Sequence, residues 1–199
     1  MTTVEVAAGA LVIALALGLL VALLRVSAVK PLRWLGLVYT DIIRGTPALA
    51  QLFIIYFGLS DIGIEFDPIT AAVVGLGMNG AAYVGEIYRA GIQAIGRGQI
   101  EAALSLGMTP ARTMRFIVLP QAVRLMLPPL TNYAISLVKD TAIISAIAAP
   151  EIAFEARRLV QETFLSNQVY LLAALIYLAI TIPMSRLAKR LERRREAWH

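Results

Sequence analysis

"VAAGALVIALALGLLVALL", Val6–Leu24, runs for 19 residues without a charge. As an α-helix rising about 1.5 Å per residue it would reach about 28 Å, close to the roughly 30 Å of hydrocarbon in a bilayer. Inside lipid every backbone N–H and C=O must find a partner within the segment, so an apolar run of this length reads as a membrane-spanning helix. A cleaved signal peptide is the competing reading. No basic residue precedes the run, its apolar part is too long, and Arg25 follows it rather than leading it.

Further apolar runs continue along the 199-residue chain, whose hydrophobic content of 59% exceeds that of ordinary soluble domains. The expected fold class is therefore an all-α membrane protein with five transmembrane helices, over about 6–24, 35–59, 69–92, 121–149 and 169–186. Residues 2–195 form one membrane domain, and 187–199 close the chain as a basic cytoplasmic tail. The third run is rich in small residues (Gly75, Gly77, Gly80, Ala81, Ala82, Gly85), which in lipid let helices approach closely and predict a packing face. Pro128 and Pro129 predict a break in the fourth run. Segment 150–168 is amphipathic and mixed in charge, and predicts a short helix or a hairpin at the far surface.

Basic residues fix the orientation. Fifteen of the 18 Lys and Arg fall in 25–44, 89–124 and the tail, and only Arg157 and Arg158 fall in the opposite loops. Lys and Arg collect on the cytoplasmic side, so the N-terminus is expected outside and the C-terminus in the cytoplasm. No cysteine is present and the single histidine is His199, which removes thiolate metal sites, histidine triads and histidine proton relays from consideration. No GxxxxGK[ST] phosphate loop occurs, so no intrinsic ATP hydrolysis is expected. An odd number of spans cannot make two equal halves, so a pathway is expected between two chains.

Between the third and fourth runs lies "EAALSLGMTPARTMRFIVLP" (101–120). Gly107 suits the left-handed position that closes a helix, Thr109 suits an N-cap and Pro110 a first helical residue. Two helices over about 98–118 are expected to meet at a tight corner and merge with the neighbouring spans. Such an elbow can pass a push from a soluble partner into the membrane. A DNA-binding helix-turn-helix is a poor alternative, because Pro110 would open the recognition helix and spans attach on both sides.

Glu101-Ala102-Ala103, then Gly107, then Ile117-x-Leu119-Pro120 resemble the EAA motif of importer-type ABC transporter permeases, with every named position at the expected spacing. The stretches 44–59, 83–103 and 119–147, with Pro150-Glu151, resemble the permeases for polar amino acids of the histidine, glutamine and glutamate type. Members of that family carry a further segment ahead of the stretch that Thr2–Gly18 resembles. The resemblance implies that Glu101, Ala102, Ala103, Gly107, Pro110, Ile117, Leu119 and Pro120 couple the chain to a separate ATPase. It implies two ATPase subunits that use ATP and Mg, a second permease copy or a homologous permease, and an extracytoplasmic amino-acid-binding protein. No cofactor bound by this chain and no nucleic acid partner is expected, and the location is the cytoplasmic (inner) membrane, in contact with lipid. Methionine or an opine as solute, or an ATP-independent secondary transporter, stand as alternatives.

Polar residues within spans are costly and are pathway candidates on that ground. Asn79 falls near mid-depth of its span, Tyr83 one turn on, and Asn132 and Ser136 at similar depth in the fourth run. They offer donors and acceptors suited to a zwitterion, or else interhelical hydrogen bonds. Lys139, Asp140, Glu86 and Arg89 are expected to form structural ion pairs or a gate.

Overall fold

The computed structural model describes residues 2–196, with side chains described as far as Arg190. Nine α-helices follow one another among the described residues: α1 (Thr2–Val26), α2 (Lys30–Gly45), α3 (Ala48–Phe53), α4 (Pro68–Gln93), α5 (Arg97–Ser105), α6 (Pro110–Thr113), α7 (Leu119–Asp140), α8 (Ile152–Thr163) and α9 (Ser166–Glu196). A π-helical turn (Ile54–Gly58) and a 3₁₀ turn (Ser60–Ile62) extend α3. A second π turn (Met114–Val118) joins α6 to α7, and a 3₁₀ segment (Thr141–Ile147) follows α7. Of the expected basic tail over 187–199, the stretch to Glu196 continues α9 and 197–199 lie outside the described residues.

Two helices are each long and apolar enough to cross a membrane, Thr2–Val26 and Ser166–Arg190, and Lys30–Gly45 with Ala48–Ile62 would make a third if the bent pair is one span. The run expected as a single span over 35–59 is in fact broken, and its two halves meet at 103°. Pro47 is the cause. Its ring forces the preceding residue out of the helical region, and Thr46 is extended at φ −117°, ψ 146°.

The small-residue face of α4 packs on α1. A Cβ placed on Gly77 would lie 2.6 Å from Cβ of Ile13, one on Gly18 would lie 2.8 Å from Val84, and one on Gly85 would lie 2.9 Å from Val21. Residue numbers advance together along both helices, so α1 and α4 run parallel, and α2 with α3 must carry the chain back between them. Tyr133 of α7 sits against Gly80 and Met126 against Gly91, so α7 runs antiparallel to α4.

These contacts sort the molecule into two ends. The N-terminal turn of α1 meets α8, where the Ile152 amide donates to Thr3 Oγ1 at 3.4 Å. Glu151, 3% exposed, caps α8 by accepting from the Phe154 amide at 2.7 Å, and also accepts from the Tyr177 hydroxyl at 2.6 Å. Asp67 caps α4 at this end, accepting from the Ile69 and Thr70 amides at 3.0 and 3.1 Å, and hydrogen bonds from Thr70 hold its carboxyl below the usual carboxylate range. The last turns of α1 and α4, with α5 and α6, form the other end.

The structure corrects a second expectation. α7 runs from Leu119 to Asp140 without interruption through Pro128 and Pro129. Each proline removes a single donor, leaving the carbonyls four residues earlier, Arg124 and Leu125, without their usual partners, while the remaining ladder holds the helix together. The regular helix instead ends at Asp140, ahead of the 3₁₀ segment that occupies 141–147 of the span expected to 149.

Candidate functional site: an elbow and a broken helix

The elbow begins with α5. Gly107 adopts φ +80°, its amide donates to the Leu104 carbonyl at 2.9 Å, and the Met108 amide reaches back to Ala103 at 3.1 Å. This pair of bonds is the Schellman closure, which needs a left-handed residue at that point. Thr109 Oγ1 then accepts from the Arg112 amide at 3.4 Å, and Pro110 opens α6. The corner therefore has the local geometry that its residues dictate.

The elbow is fastened to its supports. Ile95, Val118, Ala122 and Met126 form a buried cluster that Ile92 and Ile100 pack against. Gln121 Nε2 donates to Gln99 Oε1 at 2.6 Å and to the Ile117 carbonyl at 2.8 Å, tying α5 to the start of α7. Of the motif residues, Ala103 is buried and Ile117 half-buried, whereas Glu101, Ala102, Gly107, Pro110, Leu119 and Pro120 are exposed. Leu106 at the tip is 84% exposed and Phe116 is 61% exposed. Large apolar side chains left exposed in this way mark a surface that can take a partner or lipid. The π turn at Met114–Val118, which sequence reasoning missed, lies inside the motif where the elbow merges with α7, a kind of irregularity often found at functional positions.

The break between α2 and α3 builds a second polar centre. Tyr39, ahead of the break, donates its hydroxyl to the Met78 carbonyl at 2.6 Å, and Gln51, beyond it, accepts from Asn79 Nδ2 at 3.1 Å. Both sides of the break thus lie beside one turn near the middle of α4. Gln51 Nε2 also meets the Ile43 carbonyl at 2.7 Å, the Thr46 carbonyl at 3.2 Å and Thr46 Oγ1 at 2.7 Å, satisfying groups that the break exposes. Arg44, the last basic residue of α2, lies over the Tyr83 ring at 5.2 Å. Tyr83 stacks on Tyr133 with centroids 6.3 Å apart and planes at 16°.

Of the sequence-predicted pathway residues, Asn79 is thus held by Gln51, and Tyr83, 39% exposed, sits under Arg44. Asn132 is exposed and Ser136 half-buried, and neither side chain makes a hydrogen bond among the described residues. Glu86 and Arg89 pair, with Arg89 Nε donating to Glu86 Oε2 at 2.9 Å, and Arg25 joins at 3.5 Å. Lys139 and Asp140 are exposed and form no ion pair among the described residues. Arg44, Gln51 and Tyr133 are the residues that sequence reasoning missed. The one local signal for them was Pro47, which marks the break they surround.

An all-helical chain with a helix interrupted beside the middle of α4 and an elbow at one end has the architecture of a membrane transport component. Residues 14–197 match the model of the family described as "Binding-protein-dependent transport system inner membrane component", and the chain belongs to that family. It is 41% identical over 180 residues to the probable glutamine ABC transporter permease protein GlnM of Bacillus subtilis, covering 90% of this chain and 83% of the relative. It is 37% identical over 193 residues to the arginine transport system permease protein ArtQ of Bacillus subtilis, covering 96% and 88%. Among solved structures, one described as an amino acid ABC transporter with histidines superposes with a TM-score of 0.93 at 41% identity, covering 96% of this chain and 90% of that one. An inward-facing structure of the MetNI methionine ABC transporter shares the fold at 23% identity, with a TM-score of 0.68 over 95% of this chain and 90% of that one. The chain is accordingly an inner-membrane transport component.

Proposed function

We propose that the chain is the permease subunit of an ATP-driven importer of polar amino acids. The observation that carries the reading is the elbow: a Schellman corner at Gly107, bolted to α4 and α7, with Leu106 and Phe116 projecting from it. The relatives named for glutamine and arginine support an amino-acid solute, and weigh against an ATP-independent transporter. In this reading a separate ATPase seats on residues 101–120 and uses ATP and Mg, two ATPase subunits serve two permeases, and an external binding protein delivers the solute. Five spans cross the membrane with the elbow in the cytoplasm. The parallel packing of α1 and α4, and the gathering of basic residues at the elbow's end, favour that count and orientation.

The solute path runs past the break in α2–α3, where Arg44, Tyr83, Asn79 and Asn132 offer a cation, an aromatic face and amides to a zwitterion. Ser136 lies one turn beyond Asn132. Lys139 and Asp140, unpaired among the described residues, find partners on the second permease. Uptake of labelled glutamine and arginine by proteoliposomes holding the assembled complex tests the reading. ATP-dependent accumulation that Glu101→Lys abolishes is expected. Accumulation without ATP by this chain alone overturns it.

A further inference from the structure

A groove of about 450 Å³ opens where the end of α1, the first turns of α2 and the last turns of α4 meet, lined by Arg25, Lys30, Arg33, Trp34, Leu37, Arg89 and Gln93. Four cations thus border one space, and among the described residues the one carboxylate that pairs with any of them is Glu86, whose oxygens are engaged by Arg89 and more distantly by Arg25. Arg25 Nη1 is buried without a hydrogen-bond partner, so its charge is only partly compensated. Lys30 and Arg33 are exposed and make no ion pair among the described residues. They also stand in the first turn of a 16-residue helix that has no acidic residue there and no side-chain cap. The positive end of the helix dipole, its free amides and two cations therefore repel one another, an arrangement that an anion would relieve.

The walls decide which anion. Trp34 is 62% exposed, and the neighbouring Leu32 and Leu35 are 41% and 54% exposed. An indole flanked by basic and aliphatic side chains at the end of a membrane helix belongs at the boundary between headgroups and acyl chains. We propose that this groove binds the headgroup of an anionic phospholipid, its phosphate held by Lys30 and Arg33 and its acyl chains running past Trp34 and Leu35. The site needs only that the chain lies in a membrane, so it stands or falls separately from the amino-acid reading.

The test places the assembled transporter in bilayers of phosphatidylcholine with a minor share of phosphatidylglycerol, releases it in mild detergent and counts the lipids retained per complex by mass spectrometry. The unaltered protein should retain phosphatidylglycerol over its bulk share by about threefold or more, Lys30→Ala with Arg33→Ala should bring the ratio to the bulk value, and added inorganic phosphate should leave it unchanged. Arg158→Ala, at the opposite end and 59% exposed, should change nothing. A second measurement reads the indole itself. With Trp198→Phe leaving Trp34 as the one indole of this chain, the part of the complex's fluorescence that Trp34→Phe removes should be quenched by brominated phosphatidylglycerol at lower mole fraction than by brominated phosphatidylcholine. Equal retention by the parent and the double variant, equal quenching by the two lipids, displacement by inorganic phosphate, or loss of the ATPase subunit in place of lipid would each overturn the proposal.

Discussion

Gly107 shows how much one residue can settle. A Cβ there would meet nothing within 4 Å, so space does not demand glycine, and φ +80° does. Gly107→Ala should cost the chain only about 1 kcal/mol, the strain of a left-handed alanine. It should lower ATP-coupled uptake far more, because the corner must keep its angle to seat a partner. Thermal unfolding of the purified complex beside an uptake assay separates the two, and equal loss in both would count against a mechanical role. Gln51 is the second residue on which much converges. Gln51→Leu leaves the Ile43 and Thr46 carbonyls unpaired as well as Asn79, and should cost about 1–3 kcal/mol, more than Asn79→Leu, which strands only one amide bond. Comparable melting temperatures for the two variants would show that the break does not rely on Gln51. Gly107, Thr109 and Pro110 were legible in the sequence because caps are local chemistry. Gln51 was not, since its partners lie both at the last turn of α2 and in the middle of α4, and only the folded chain brings them together.

At the scale of elements, the pairing of α1 with α4 is the structural spine. Small residues were readable as a packing face, because in lipid there is little other reason to line a helix with glycine. That the partner is α1, running parallel, was not readable, since the pattern on α4 does not say which helix will meet it. Gly77→Ala places a methyl carbon 2.6 Å from Cβ of Ile13. It should lower stability by about 1–3 kcal/mol, and Ile13→Gly, which removes that Cβ, should recover part of the loss. An additive double variant would mean that the two helices separate freely at this point. The second run was misread for a different reason. Averaging apolar content from Leu35 to Leu59 smooths over Gly45-Thr46-Pro47, whereas the stereochemistry of a residue before proline marks a break. Pro128 and Pro129 carried the opposite error: they cost hydrogen bonds, but the helix on either side has enough remaining bonds to pass through.

For the whole molecule, the exposed surface records what is missing from a single chain. α9 presents Leu171, Leu172, Leu175 and Leu178 outward, each more than half exposed, as a helix against lipid would. The elbow presents Leu106 and Phe116, which lipid would not reach if the elbow stands in the cytoplasm. The absence of cysteine from the sequence makes that placement directly testable. Leu106 and Phe164 are 84% and 85% exposed and belong to opposite ends, so single cysteines at the two positions report on two environments with matched accessibility. In the assembled transporter, Leu106→Cys should cross-link through a short bifunctional reagent to a subunit that mass spectrometry identifies as an ATPase, while Phe164→Cys should not. A Leu106→Cys that reacts only with water-borne probes and never with that subunit, in a complex that still transports, would contradict the claim that the elbow receives the motor's force.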